Sequence, residues 1–306
     1  MRTPDDPREL LDRPGWQKLR ADHRARATAL LAPVLERRRR GERHAVEDFL
    51  FDYYTLRPGL LLRWHPGVHR VLADAAEEFA ALPHHRVRDG LVEVDTETVV
   101  GRRRDTIAWT RRLLTAERAR PASFGCFGMH EWAMVYGLRA DQTRHAALPL
   151  RLAPGEVRDV VDRVGLRCSH FDAFRFFTPD AAPRNTVQLT RGDQEAHDQG
   201  GCLHANMDLY KWAGKLLPLT PPEMLLDTYE LARDIRVLDM RASAYDISGL
   251  GYSPVAVETV AGRADYVAQQ RDLAARAAVI RDRILDLLDV IERVSRVQAG
   301  MSNAVT

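Results

Sequence analysis

Lysine is almost missing from this chain: Lys18, Lys211 and Lys215 stand against 42 arginines in 306 residues. A buried lysine can lose its proton near neutral pH and an arginine cannot, so Lys211 and Lys215 are singled out as candidates for chemistry. Cysteine is equally sparse, with three residues. An odd, small number argues against a disulfide framework and suits a reducing compartment, so the expectation is a cytoplasmic protein whose thiols are free, metal-bound or reactive. No run of about 18 apolar residues occurs, which argues against a membrane-spanning helix and a membrane partner. The charged, Pro-rich opening Met1–Leu11 lacks the apolar core of a signal peptide. An excess of one charge is lacking too, since the formal net charge is +2. Arg37–Arg40 and Arg102–Arg104 are basic clusters able to meet phosphates, but acids flank both, and solvated helix ends are the competing reading. Neither a Cys-x2-Cys pair nor a His-Glu-x-x-His motif is present, so the strongest zinc signatures are absent.

What remains reads mostly as helix. Apolar spacing predicts a helix over Trp16–Arg40, ending at Gly41, and a buried aromatic one over Val46–Leu56 before Pro58. Further helices are expected over Asp105–Ala119, Pro154–Val164, Pro221 to about Met240, and Gly262–Val297. Trp64–Gly67 reads as a turn and Thr178–Asn185 as a Pro-rich loop. Asp89-Gly90 is a hairpin signal between two short strands within Arg86–Val100, and Tyr252–Thr259 is expected to be a strand. No composition break marks a linker and no repeat is visible. The fold class expected is mainly α: a single helical domain over residues 1–306, with one or two small β elements and with tails at 1–12 and 299–306.

Each cysteine is closely followed by a histidine: Cys126-x3-His130, Cys168-x-His170 and Cys202-x-His204. With 11 histidines in the chain, chance gives all three on the order of a few times in a thousand. Acids and amides accompany them as Glu131, Asp172, Asn206 and Asp208. After Gly200-Gly201 the third cluster reads as a helix, which puts His204, Asp208, Lys211 and Lys215 on one face beside Leu203, Met207, Tyr210 and Gly214. An exposed salt-bridged stripe is the alternative; a carboxylate in an apolar pocket would instead act as acid or base. His170-x-Asp172 suits a facial metal triad if extended, with His130 or His204 as third ligand. Phe171, Phe174 and Phe177 at intervals of three favour a helix there. In the first cluster Gly125 and Gly128 precede His130-Glu131, and Cys126 and His130 are spaced to chelate one ion from a helix. Buried cysteines packing as small apolar residues are the alternative throughout. The histidines and acids are therefore the better candidates: Asp172, Asp208, Glu131 and Lys211 as catalytic groups, and His130, His170 and His204 as metal ligands.

The segments FGCFGMHEWAMVY, RCSHFDAFRFFTP, GCLHANMDLYKWAGKL and VEDFLFDYYTLRPGLLLRWHPG resemble a family of actinobacterial proteins of similar length, commonly described as 3-methyladenine DNA glycosylase. The resemblance implies hydrolysis of the N-glycosidic bond of an alkylated purine in damaged DNA, a DNA-repair activity, although this chain has no helix-hairpin-helix motif. A flipped base needs an aromatic pocket, for which Trp132, Tyr136, Phe171, Phe174, Tyr210 and Trp212 are candidates, with Asn206 and Arg175 as polar contacts. One carboxylate among Asp172, Asp208 and Glu131 would assist release of the base. Two other readings stay open. One is a metal-dependent hydrolase or oxidase holding zinc, iron or manganese in a His/carboxylate site. The other is a non-catalytic helical protein that binds a small molecule, such as a nucleobase-containing compound, or nucleic acid. No cofactor is required by the first reading.

Overall fold

Asp12 starts the first long helix. Its carboxylate accepts the Gly15 N–H at 2.9 Å and Pro14 sits in the first turn, so two of the free donors at a helix start are dealt with. The computed structural model describes residues 6–145 and 147–303. Helix α1 runs Arg13–Arg39 and buries Trp16, His23, Ala27, Leu31 and Val34 along one side. α2 (Thr96–Ala119) begins at Asp95, whose side chain accepts the Thr98 N–H at 3.2 Å. It starts nine residues earlier than the apolar spacing indicates, because two helical pieces join across Arg103, which has φ −120° and ψ 20°. The Arg103 guanidinium reaches the carbonyls of Lys215 and Leu217 and ties this joint to the next helical layer. α3 is Pro154–Val164, α4 Leu203–Lys215, α5 Pro222–Ala242 and α6 Val260–Asn303. α4, α5 and α6 pack on one another and α2 lies along α6, forming the main core.

The β structure is a small sheet in the order β1-β2-β4-β3. β1 (Glu9–Leu11) runs parallel to β2 (Arg70–Leu72), which pairs antiparallel with β4 (Leu91–Val94). β3 (His85–Arg88) and β4 form the expected hairpin, and Asp89 (φ 49°) and Gly90 (φ 77°) supply the two left-handed residues that such a tight turn requires. Trp16, Trp64, Leu72, Phe79 and Val92 form a separate cluster that seats the sheet on α1.

Three local expectations change. Residues 9–11 are a strand, and Arg8 is buried against Asp6 and Glu93; residues 1–5 lie outside the described residues. At the other end, α6 continues to Asn303, with 304–306 outside the described residues. Tyr252–Thr259 is not a strand. Val255 and Val257 are buried in an irregular segment that docks on the end of α5, with the Val255 N–H donating to Arg241 O at 2.8 Å, and Pro254 has no N–H for a ladder. The aromatic stretch 46–56 forms only one helical turn, Phe49–Tyr53, before Thr55 takes a positive φ of 56°. The mainly helical class holds, and among the described residues no helix is long and apolar enough to cross a membrane.

Candidate active site

α4 carries His204 in its first turn, then Asp208 and Lys211 on the same side. That side faces inward: Asp208 is buried, Lys211 is only 16% exposed, and Lys215 at the end of the stripe is exposed. α5 contributes Arg236 and Asp239, one turn apart and both buried. His130 and Glu131 come from the short helix Met129–Ala133, which starts at Gly128 with φ 71°. A Cβ on Gly128 would sit 3.1 Å from the Ala242 side chain, so the glycine lets this segment rest on the end of α5. His170 has extended backbone and caps the turn Phe171–Phe174, which carries Asp172. A Cβ on Gly201 would lie 2.4 Å from Ser123 O, and this close approach joins the 123–130 and 199–204 segments.

The three Cys/His clusters therefore meet. The rings of His130 and His204 are edge to face with centroids 4.4 Å apart, and those of His204 and His170 are stacked at 5.7 Å. The histidines form a row with His204 in the middle. Two groups of donor atoms lie within 4.8 Å of one another: His130, His204 and Asp239, and His170, Asp172 and Asp208. The three imidazoles do not form one such group among the described residues.

Each outer histidine has its own acid. His130 Nε2 is 2.7 Å from Asp239 Oδ1, and its Nδ1 is 3.5 Å from Cys126 Sγ. Burial works against the charge on His130, but the Asp239 carboxylate raises it well above the ordinary imidazole value. His170 Nδ1 bonds Asp198 Oδ1 at 2.9 Å and its Nε2 lies 3.7 Å from Asp208. Burial again opposes, but Asp198 and then Asp208 lift His170 to about 9. His204 has no acid of its own, and burial followed by the charge on His130 lowers it to about 3. At neutral pH the row is imidazolium, imidazole, imidazolium.

The acids divide as well. Burial alone would raise Asp208, but Lys211 and His170 hold it below the usual range, while Tyr54 donates its hydroxyl to Oδ1 at 2.8 Å. Burial and the nearby Asp239 raise Glu131, against the Arg236 guanidinium 3.0 Å away. Arg236 also holds Asp239 at 2.9 Å. Lys211 stays charged, since Asp208 outweighs burial, and its Nζ is 3.6 Å from Asp172. Pairs of carboxyl groups pushed apart in this way are the usual setting of acid and base roles.

Asp172, Glu131, His204 and Arg236 line an inner chamber of about 30 Å³ together with Phe49, Tyr53, Tyr54, Phe176 and Tyr245. The chamber shares Phe49, Tyr53, Arg144, His145 and Phe176 with an outer cleft of about 870 Å³ that opens to the surface. Asp172 lines the chamber and is 23% exposed. Asp208 and Lys211 stand behind it.

Among the other candidates, Arg175 lines the outer cleft, with its guanidinium 4.4 Å over Phe176 and 3.1 Å from Asp172. The aromatics singled out from sequence belong elsewhere. Trp132 is core, donating Nε1–H to Ala242 O at 2.8 Å. Tyr136 donates to Asp162 at 3.1 Å, away from the chamber. Phe174 packs on Phe177, and Tyr210 is buried between Tyr54 and Tyr229. Phe171 stacks under Arg191, and Trp212 lies under Lys211 and Lys215. Asn206 is structural, donating to Gly200 O at 2.9 Å and accepting from Arg281 at 2.6 Å. The basic cluster at 37–40 is occupied internally: Arg37 pairs with Glu47, Arg39 with Glu36, Arg40 with Glu42, and Arg38 stacks on Phe51.

Sequence reasoning missed Asp239, Arg236, Asp198 and Tyr54. A signal existed for two of them: Arg236 and Asp239 interrupt the otherwise apolar inner face of α5 at a spacing of three, and charges in such a face need partners. No family model matches the chain, and no curated protein or solved structure matches it significantly.

Proposed function

We propose that the protein is a hydrolase that cleaves the N-glycosidic bond of an alkylated purine, with the base held in the outer cleft of about 870 Å³ against Phe49, Tyr53 and Phe176. The observation that carries this reading is the small chamber adjoining that cleft, which Asp172 and Glu131 line together with Tyr53, Tyr54 and Phe176. An alkylated purine is cationic and planar, so the faces of Phe49, Tyr53 and Phe176 suit it. It is already a good leaving group, and one carboxylate suffices to steady the sugar cation or to activate water. Asp172 has that role. Glu131, pushed toward its neutral form by burial, donates a hydrogen bond to the departing ring. Lys211, Asp208 and Tyr54 act as positioning residues behind Asp172. DNA and a smaller nucleoside are both substrates of this class. Purified protein incubated with methylated DNA and with methylated nucleosides should release free 3-methyladenine. Asp172→Asn should slow release by about 100-fold or more. No free base from either substrate over a range of salt would sink the reading.

A metal-dependent reaction is the second reading, favoured by the two donor groups within 4.8 Å. The residues fit a metal poorly at the first group, because both ring nitrogens of His130 are taken. They fit better at the second, where Asp198 fixes the tautomer of His170 and leaves Nε2 facing Asp208, as in carboxylate-histidine-metal arrangements. There the Lys211 ammonium already supplies the positive charge beside Asp208 and Asp172, and a zinc, iron or manganese ion would have to displace it. Elemental analysis of Cys-to-Ser protein prepared without chelator tests this reading; metal far below one equivalent removes it.

A further inference from the structure

A second cavity, of about 70 Å³, lies beside His204. All three cysteines of the chain line it, together with His130 and His204, and His204 is the only residue it shares with the chamber. We propose that this cavity is a binding site for one thiophilic d10 cation, Zn2+ or Cu+, held by Cys126, Cys168 and Cys202 with His204 as the fourth donor.

Four observations converge on this. The donor set is three sulfurs and an imidazole that no protein group among the described residues hydrogen-bonds, which is the chemistry both ions select. Gln270 is 1% exposed and lines the same cavity; its Nε2 donates to Gly201 O at 2.7 Å, but its Oε1 is a buried acceptor without a partner. A buried orphan acceptor calls for a donor or a cation in the cavity. The charges complement each other. Three thiolates around Zn2+ leave one net negative charge, and Arg167 lines the same cavity. Finally, the loops are fixed around the cavity. Gln199 accepts from the N–H groups of Ser123 and Gly201 at 2.8 and 2.7 Å and so braces the strand of chain before Cys126 against the one before Cys202.

No cysteine belongs to a group of three donors within 4.8 Å of one another among the described residues. The three cysteines line the same void, and an ion bound there would have to draw their sulfurs inward to bond lengths of about 2.3 Å. Each thiol ionises as its sulfur–metal bond forms, and the proton leaves to solvent, so affinity rises with pH. The site is separate from the glycosidic reading and does not depend on it.

The test uses the reduced, chelator-stripped full-length protein. Titration with Co2+ as the zinc stand-in should give a near-ultraviolet thiolate-to-cobalt band that saturates at about one equivalent and is displaced by Zn2+. Under nitrogen, Cu+ should be retained against a chromophoric copper chelator, and the tighter of the two ions identifies the occupant. Replacing all three cysteines by serine should abolish the band and the copper retention. Cys126→Ser alone, at a partly exposed position, should weaken both and serves if the triple variant does not fold. The proposal is overturned if the wild-type protein shows neither the band nor copper retention, or if either survives in the triple serine variant or is unchanged in Cys126→Ser. Cobalt bound without a thiolate band also overturns it, and would place the ion at the His/carboxylate groups instead.

Discussion

Lys211→Met gives the sharpest test of how the buried acids are held. The substitution keeps most of the unbranched side chain and removes the ammonium between Asp208 and Asp172. Breaking a buried pair by deleting one partner costs about 3–5 kcal/mol when the remaining charge is stranded. Asp208 would not be wholly stranded, because His170 Nε2 stays at 3.7 Å and the Tyr54 hydroxyl at 2.8 Å. Lys211 itself is 16% exposed, which screens part of the pair. The expected loss is therefore nearer 2–3 kcal/mol, about 4–10 °C in Tm for a chain of this size. The loss also has a pH signature. In the native protein burial pushes Asp208 up but Lys211 and His170 pull it lower, so its stabilising contribution is present above the ordinary Asp value and is lost as pH falls through the depressed one. Without Lys211, burial prevails and the carboxyl moves up. The variant then gains stability as pH falls and Asp208 takes up a proton. Thermal melts at pH 7.5 and pH 5 should show the gap to wild type narrowing on acidification. A drop of less than about 1 °C at pH 7.5, or a gap that widens at pH 5, would refute the account.

Two further predictions concern neighbouring groups. His170 sits at about 9, so its contribution is complete below the ordinary imidazole value and is lost as pH rises through about 9; its share is at most about 3 kcal/mol. Unfolding free energy measured from pH 6.5 to 9.5 should fall, and His170→Gln should flatten part of that slope; a variant with the same slope as wild type would contradict the assignment. Trp132→Phe removes the 2.8 Å bond to Ala242 O and leaves a small void, at a cost of about 1–3 kcal/mol, with base release unchanged, because Trp132 lines neither the cleft nor the chamber. A selective loss of activity at unchanged Tm would return Trp132 to the substrate pocket.

The elements most legible from sequence were those whose signals are local. Asp89-Gly90 supplied its hairpin, Pro154 opened α3, and Gly200-Gly201 preceded α4. The ends of the long helices were less legible. The start of α2 depends on a capping bond from Asp95 and a joint at Arg103 that a tertiary contact stabilises, and periodicity does not report either. At the site, the His/acid pattern pointed to residues that do meet, because ionisable groups at helical spacing after a glycine pair have few bland uses. Choosing aromatics by proximity in sequence failed. Trp132 and Tyr136 neighbour His130 along the chain but point into the core and toward Asp162, while the chamber is lined by Phe49, Tyr53, Tyr54 and Tyr245 from distant segments and by Phe176 from the second cluster. Walls supplied by distant segments leave no local trace.

The cluster is an expensive thing to bury, and that bears on what His204 is for. Ion pairs in a core are weak evidence of stabilisation, since apolar residues of the same volume often do as well or better. His204 is the plainest case: a desolvated imidazole lowered to about 3, with no acid of its own and no hydrogen bond to its ring among the described residues. If it were structural, its removal would be costly. If it is kept for chemistry or as a ligand, His204→Leu should remove a half-buried imidazole that has no hydrogen bond among the described residues and leave stability unchanged within about 1 kcal/mol. The comparison belongs on chelator-treated protein, so that a bound ion does not add its own stabilisation to the wild type. Loss of base release at equal or higher Tm would mark His204 as functional. A fall of more than about 2 kcal/mol would instead mark it as a packing residue, because a loss that large needs native contacts that leucine cannot replace.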